Sequence, residues 1–169
     1  MKRIVWLSVP LLLAGVAIVF TLSRHSDEDL IRGQLSRLAK AVRVTAGPGE
    51  SNPLLRVARL RSEFREIFEA DVRVTIPELP MALPTEPVAL ADSAAQLTVI
   101  YRAFDVDFSD VQIKLDDARL TAQVQATANV AATSRDGLSR DTRPVDFLLR
   151  KVDGTWRVSS INVSAKGAT

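Results

Sequence analysis

The chain has 169 residues, with 22 Lys and Arg, 20 Asp and Glu, one His and no Cys, a length that suits one ordinary domain. The lack of Cys excludes disulfides, Cys-ligated zinc and an acylated lipoprotein end, and the single histidine, His25, excludes a His-based metal centre and a Ser/His triad. The net charge of +2 depends on Lys2, Arg3 and Arg24, because 19 basic and 20 acidic residues follow from residue 27 onward, so the composition gives no support to nucleic-acid binding.

The first segment is an uncharged apolar stretch of 19 residues from Ile4 to Leu22. As a helix it extends about 28 Å, close to the thickness of the hydrocarbon core of a bilayer. Lys2 and Arg3 on its short side favour a cytoplasmic amino terminus. The sequence therefore predicts a signal-anchor over residues 1–25 of a single-pass protein of the bacterial inner membrane. The domain over residues 26–169 is expected in the periplasm.

A cleaved secretory signal is the alternative interpretation of this segment. Lys2 and Arg3 also suit the charged start of a signal peptide, and the apolar stretch suits its central region. The best small-residue cleavage site, Gly15-Val16-Ala17, would leave an apolar mature end at Ile18. We therefore favour a retained anchor, and both interpretations place the domain in the same compartment.

Two amphipathic helices are predicted after the leader. Ser26 suits the cap of the first helix, which carries three acidic residues in its first turn. Pro53 suits the first position of the second helix, which is expected to run to about Glu69. Apolar residues recur at three- and four-residue spacing in both helices, at Ile31, Leu35, Leu38 and Val42 in the first and at Val57, Leu60, Phe64, Ile67 and Phe68 in the second. We expect the two helices to share one core.

The next segments mix strand, irregular and helical signals. Alternation over Val72–Ile76 predicts a short strand. Four prolines within eleven residues predict an irregular connection over 78–87, because proline neither continues a helix nor donates to a sheet. Asp92 or Ser93 is then expected to cap a short third helix that ends at about Ala103.

From about residue 111 to the end of the chain, apolar and polar residues alternate with period two. The pattern predicts four antiparallel strands joined by turns at Asp116-Asp117, Asp136-Gly137 and Asp153-Gly154. Together with the short strand they would form an antiparallel sheet with the helices on one face. The predicted fold class is α+β with segregated elements.

Two local motifs resemble the NTF2-like superfamily, whose members are also called SnoaL-like or ketosteroid-isomerase-like. Residues 64–74, Phe-Arg-Glu-Ile-Phe-Glu-Ala-Asp-Val-Arg-Val, are similar to its second helix running into its first strand. Residues 153–158, Asp-Gly-Thr-Trp-Arg-Val, are similar to its closing hairpin. The resemblance covers roughly residues 27–164 and implies a cone of three helices packed on a curved antiparallel sheet. A cystatin-like or other helix-on-curved-sheet fold is the alternative.

The chemistry that this resemblance implies does not carry over onto the sequence. Ketosteroid isomerases of the family hold a carboxylate base just before a proline at the end of the first strand, but here Ile76 precedes Pro77, and an alkyl side chain takes no proton. Dehydratase-like members need an Asp/His pair, and His25 precedes the domain. Asp105 and Asp107 are assigned to a turn rather than to a cation site. We therefore predict no catalytic residue, no metal site and no cofactor.

Two groups of residues remain as candidate sites. The first is a cavity inside the cone, for which the candidate lining residues are Phe64, Phe68, Tyr101 and Trp156. Packing at the edge of the core is the favoured alternative for Tyr101. The second is one face of the long strand, where uncharged polar side chains stand in place of the Lys and Glu of an ordinary solvated face. Its residues are Thr121, Gln123, Gln125, Thr127 and Asn129, and the resemblance implies sheet-to-sheet dimers through such a face. A simply solvated face is the alternative.

The sequence as a whole favours a membrane-tethered periplasmic binding or scaffolding module without catalytic chemistry of its own. Its expected partners are the membrane, a second copy of the chain or another envelope protein, and no nucleic acid. Such a module resembles the periplasmic NTF2-like parts of some secretion-system subunits. A small-molecule-binding protein or an atypical enzyme that uses the cone cavity is the alternative, with its ligand unidentified.

Overall fold

The computed structural model describes residues 27–45, 53–79 and 82–165. Residues 27–42 are helical and are called α1. The elements that follow are α2 (Pro53–Ile67), β1 (Phe68–Thr75), α3 (Pro87–Ala95), the one-turn α4 (Leu97–Ile100), β2 (Ala103–Leu115), β3 (Thr121–Ser134), β4 (Gly137–Val152) and β5 (Thr155–Val163). The predicted anchor lies outside these residues. Within them, no helix combines the length and hydropathy required to cross a membrane.

The five strands form one mixed sheet in the order β1-β5-β4-β3-β2. Strands β2 to β5 pair with antiparallel neighbours, as predicted, but β1 runs parallel to β5, so the prediction of a wholly antiparallel sheet is wrong. Helix α2 ends at Ile67 rather than at about Glu69, and β1 begins directly at Phe68 rather than at Val72, so both predicted bounds are wrong. Phe68 pairs with Val158 near the start of β5, so both strands run away from the same end of the sheet.

The helices pack on one face of this sheet, which gives the α+β class that the sequence predicts. Ile31, Leu35 and Leu38 of α1 and Leu60, Phe64 and Ile67 of α2 are all buried in one core cluster. The shared core of the first two helices is therefore confirmed. The facing side of the sheet contributes Val124, Phe147, Leu149 and Val158.

The predicted third helix is wrong in its bounds. Helix α3 begins at Pro87, in the favoured first-turn position for proline, and ends at Ala95. After the single turn of α4, Tyr101 is already extended, with φ −114° and ψ 136°. Strand β2 then begins at Ala103 and not near residue 111, so Asp105 and Asp107 are strand residues and the prediction of a turn there is wrong.

A β-bulge in β2 determines which of its side chains face the helices. Before the bulge the even-numbered Val106 and Phe108 belong to the core, and after it the odd-numbered Val111 and Ile113 do. The pairing shifts between Ser109 and Gln112 because two residues of β2 lie opposite one of β3. Asp110 absorbs the extra residue with a left-handed φ of 52°. The bulge thus keeps apolar side chains inward along the whole strand.

Candidate functional site

The four residues predicted to line a cavity fall into two separate places. Phe64, Phe68 and Trp156 are at most 2 % exposed, and the rings of Phe64 and Phe68 meet edge to face at 5.0 Å. Tyr101 lies at the opposite end of the sheet, before the start of β2, where its ring is 5.8 Å from that of Phe104. Other residues line the two concavities described below. The role of these four residues in ligand binding stays a prediction.

The predicted self-association residues lie together on the face of the sheet that points away from the helices, called the outer face here. Gln125 stands between Gln112 of β2 and Asp146 of β4, and Gln123 stands between Lys114 and Leu148. The outer face also contains Thr121, Thr127, Ser160 and Asn162. Its centre is a shallow open concavity of about 680 Å³.

The centre of the outer face offers unused polar groups. The side chains of Gln123 and Gln125 are exposed and form no hydrogen bond with another described residue. Further along the strands, Asn129 donates from Nδ2 to the Ser109 hydroxyl at 3.0 Å and accepts a hydrogen bond from Thr142 at 3.2 Å. The two glutamine amides are therefore available to pair with another surface, and Asn129 is already engaged.

A second concavity lies between α1 and the free edge of β2 and is called the edge groove here. Its volume is about 310 Å³. Arg32 donates from Nη2 to the Val111 carbonyl at 3.0 Å, and Arg43 lies 2.6 Å from the Asp105 carboxylate. The groove is lined by Arg32, Leu35, Ser36, Ala39, Lys40, Arg43, Val106, Asp107, Phe108 and Val111. Sequence analysis missed it because Asp107 was predicted to lie in a turn, and because α1 and β2, which together form the groove, are far apart in the sequence.

Asp27 is the one buried charged residue among the described residues, at 5 % exposure. Its Oδ1 accepts hydrogen bonds from Lys151 Nζ at 2.7 Å and from Trp156 Nε1 at 3.2 Å, and Arg119 Nε lies 3.8 Å from its Oδ2. Burial acts to raise the pKa of Asp27, but the hydrogen bonds from Lys151 and Trp156 and the nearby positive charges outweigh it, so the pKa lies below its usual value.

The position of Asp27 carries a signal that sequence reasoning overlooked. It lies four residues before Ile31 and eight before Leu35, and so continues the buried stripe of α1 by one turn. The sequence analysis places it with Glu28 and Asp29 among the acidic residues of the first turn, where the helix dipole favours negative charge. An acidic residue in line with a buried stripe predicts a buried ion pair, and the pair attaches the start of α1 to β4 and β5.

The described residues contain no group of three or more His, Cys, Asp or Glu side chains that could hold a metal ion. Ile76, which the resemblance places at the position of the isomerase base, follows the last residue of β1 and is half-buried. The two concavities present exposed amides on the outer face and guanidinium and ammonium groups at the edge groove.

Comparison with known proteins identifies the fold. No family model matches the chain, and no curated protein matches it either. An NTF2-like superfamily protein from Salmonella enterica serovar Typhimurium is similar in structure, with a TM-score of 0.64 at 12 % identity over 86 % of this chain and 95 % of that one. An NTF2-like protein with a cystatin-like fold from Novosphingobium aromaticivorans has a TM-score of 0.65 at 10 % identity over 90 % of each chain.

A third similar structure is the Kfla4162 protein from Kribbella flavida, with a TM-score of 0.67 at 13 % identity over 84 % of this chain and 92 % of that one. Identities of this size establish likeness of fold and nothing further. The chain has the NTF2-like α+β fold, as the two sequence motifs imply. Its particular function has to be argued from its own surfaces.

Proposed function

We propose that this chain is a membrane-tethered binding module that self-associates through the outer face of its sheet and has no catalytic residues of its own. The observation that carries the proposal is the pair Gln123 and Gln125, exposed at the centre of the outer face, where neither amide forms a hydrogen bond with another described residue. Most of the polar side chains that line this concavity are uncharged, and its two charged residues, Lys114 and Asp146, have opposite signs.

The charges that flank the centre support a two-fold arrangement. Lys114 lies on the β2 side of the two glutamines, and Asp146 lies on the β4 side. A two-fold axis along β3 places the β2 side of one copy over the β4 side of the other. Each Lys114 then approaches the Asp146 of the second copy, and the two charge pairs close the rim of the interface.

Tethering would strengthen such an interface. Two copies held by their leaders in one membrane meet at a far higher effective concentration than free domains do. A face with only moderate intrinsic affinity is then sufficient for pairing in the membrane. The apolar stretch Ile4–Leu22 is the support for the tether.

Charge at the centre of the face tests the proposal. We expect the full chain in detergent micelles to self-associate by sedimentation velocity, and Gln123→Lys with Gln125→Lys to weaken its self-association at least tenfold, because four like charges would face one another in the dimer. Ala58→Lys with Ser62→Lys on the exposed side of α2 adds the same charge elsewhere and serves as the control. Unchanged sedimentation of the glutamine variant would contradict the proposal.

A further inference from the structure

The two edges of the sheet are covered to different extents. At the β1 edge, the Val72 amide donates to the Thr85 carbonyl at 2.8 Å, so the chain itself covers that side. At the β2 edge, among the described residues, only Val44 pairs with the strand. It donates to the Phe104 carbonyl at 2.7 Å and accepts from the Phe104 amide at 2.9 Å. The edge is thus competent for antiparallel pairing, and its register is fixed at one end.

Beyond Phe104, the free edge continues into the edge groove. In an antiparallel ladder alternate residues direct their amide and carbonyl groups to opposite sides. Because Phe104 directs both groups toward Val44, Val106 and Phe108 direct theirs toward the same side, where α1 lies. Both residues line the groove. Its floor therefore combines strand backbone that no described residue pairs with and the apolar side chains of Leu35 and Ala39.

The rim of the groove is positively charged. Lys40 is exposed and forms no ion pair with a described residue. Arg32 already donates to the Val111 carbonyl, in the way that the amide of an added strand would. Arg43 is paired with Asp105, which leaves Asp107 as the acidic side chain that lines the groove. Three cations against two carboxylates give the groove an excess of positive charge.

We propose that the edge groove binds an extended acidic segment of a protein partner, which adds to β2 as an antiparallel strand next to Val44. The backbone of Val106 and Phe108 supplies the ladder hydrogen bonds, and the cations of α1 select acidic side chains. The proposal rests on the function proposed above, since it names the chemistry of the partner that the module binds. It uses a different surface from the one that pairs the two copies.

A titration with synthetic peptides tests this proposal. The probes are two nonapeptides with blocked ends, one alternating valine with aspartate and one alternating valine with lysine. They are added to the ¹⁵N-labelled full chain in micelles. We expect saturable amide shifts at Val106, Phe108 and the facing turns of α1 with the aspartate peptide, at an affinity at least tenfold above that of the lysine peptide. Equal affinities, no saturable shift, or shifts confined to the outer face would overturn the proposal.

Two variants separate backbone pairing from charge selection. Val106→Pro removes a backbone amide that faces the groove, at an edge position where proline is tolerated. It should lower the affinity for the aspartate peptide at least tenfold. Lys40→Glu should reduce the preference for aspartate over lysine, whereas Arg65→Glu on the exposed side of α2 should leave it unchanged. Circular dichroism checks folding, and the Lys40 variant decides the matter if Val106→Pro does not fold. Unaltered affinity for the aspartate peptide in a folded Val106→Pro variant, or an unaltered preference in Lys40→Glu, would refute the assignment.

Sedimentation of the same samples distinguishes failure of this inference from failure of the proposed function. Self-association that persists while peptide binding is absent rejects the edge groove alone. Absent self-association with intact peptide binding rejects the outer face alone. If the groove binds neither peptide, its cations and the bulge at Asp110 serve instead to protect an exposed sheet edge from unwanted pairing.

Discussion

At the scale of single residues, Asp27 connects the start of the domain to the sheet. Its carboxylate joins α1 to Lys151 of β4 and Trp156 of β5, so one side chain fixes three elements. Asp27 is buried, and the side chain of Lys151 is 25 % exposed. A carboxylate in this setting costs desolvation and stabilises the fold only as long as its hydrogen-bonding cations are present.

This pair predicts a dependence of stability on pH. Because the pKa of Asp27 is lower in the folded chain than the ~3.9 of an unfolded one, its contribution to the free energy of unfolding is present above that value. The contribution is lost as the pH falls through the lower folded-state pKa. Asp27→Asn should reduce the free energy of unfolding at pH 7 by about 1–3 kcal/mol, measured by urea unfolding.

The control for Asp27→Asn is Asp153→Asn, in the exposed turn between β4 and β5. Asparagine tolerates the left-handed φ of 50° at that position, so stability should not change. The Asp27 variant should also lose less stability between pH 5 and pH 2 than the parent does. If the free energy of unfolding falls equally between pH 5 and pH 2 in the parent and in Asp27→Asn, the ion pair contributes nothing to stability.

The sequence predicts most buried residues of α1 and α2, because helical spacing of apolar residues is a direct consequence of burial on one side. Leu60, Phe64 and Ile67 were found in this way and are buried. Asp27 was not, since its charge and its place in a first turn both favour exposure. Only the partners that the fold brings from residues 151 and 156 reverse that preference, and no local pattern contains them.

At the scale of elements, the bulge at Asp110 explains what the sequence analysis missed in β2. The pattern of apolar residues changes from even to odd positions between Phe108 and Val111, so period-two alternation breaks at the bulge. The segment before it was consequently assigned to a helix and a turn. The regular alternation of β3 and the Asp-Gly turns, which carry no such break, located their strands correctly.

The bulge residue itself gives a test of this explanation. Asp110→Val places a β-branched side chain at a φ of 52°, and should reduce the free energy of unfolding by about 1–2 kcal/mol. Asp110→Gly should leave it unchanged or raise it slightly, because glycine adopts a positive φ without strain. Thermal unfolding of the two variants checks that the glycine variant is more stable than the valine variant. A valine variant as stable as the glycine variant would argue against the left-handed conformation.

At the scale of the whole molecule, the helices occupy one face of the sheet and leave the outer face and the β2 edge accessible. We propose a second copy of the chain as the partner of the first surface and an extended acidic segment as the partner of the second. Both can be occupied at once, because the outer face and the edge groove lie on different sides of β2. A module built in this way would join pairs of tethered chains to a further protein.

The sequence located the outer face but not the groove, for a physical reason. A run of alternating uncharged polar residues on β3 is local, so Gln123 and Gln125 can be identified from the sequence alone. The groove requires Lys40 of α1 and Val106 of β2, which are 66 positions apart and meet only in the folded chain. The leader stays a prediction from hydropathy and charge.

Chemical cross-linking at the outer face tests the central claim most directly. The chain has no cysteine, so Gln125→Cys supplies its single thiol, and a bismaleimide that spans the ~10 Å between stacked sheets can join two copies. We expect the purified full chain in micelles to form a covalent dimer with Gln125→Cys and to remain monomeric with Ser62→Cys on α2. A cross-linked yield no greater for Gln125→Cys than for Ser62→Cys would contradict self-association through this face.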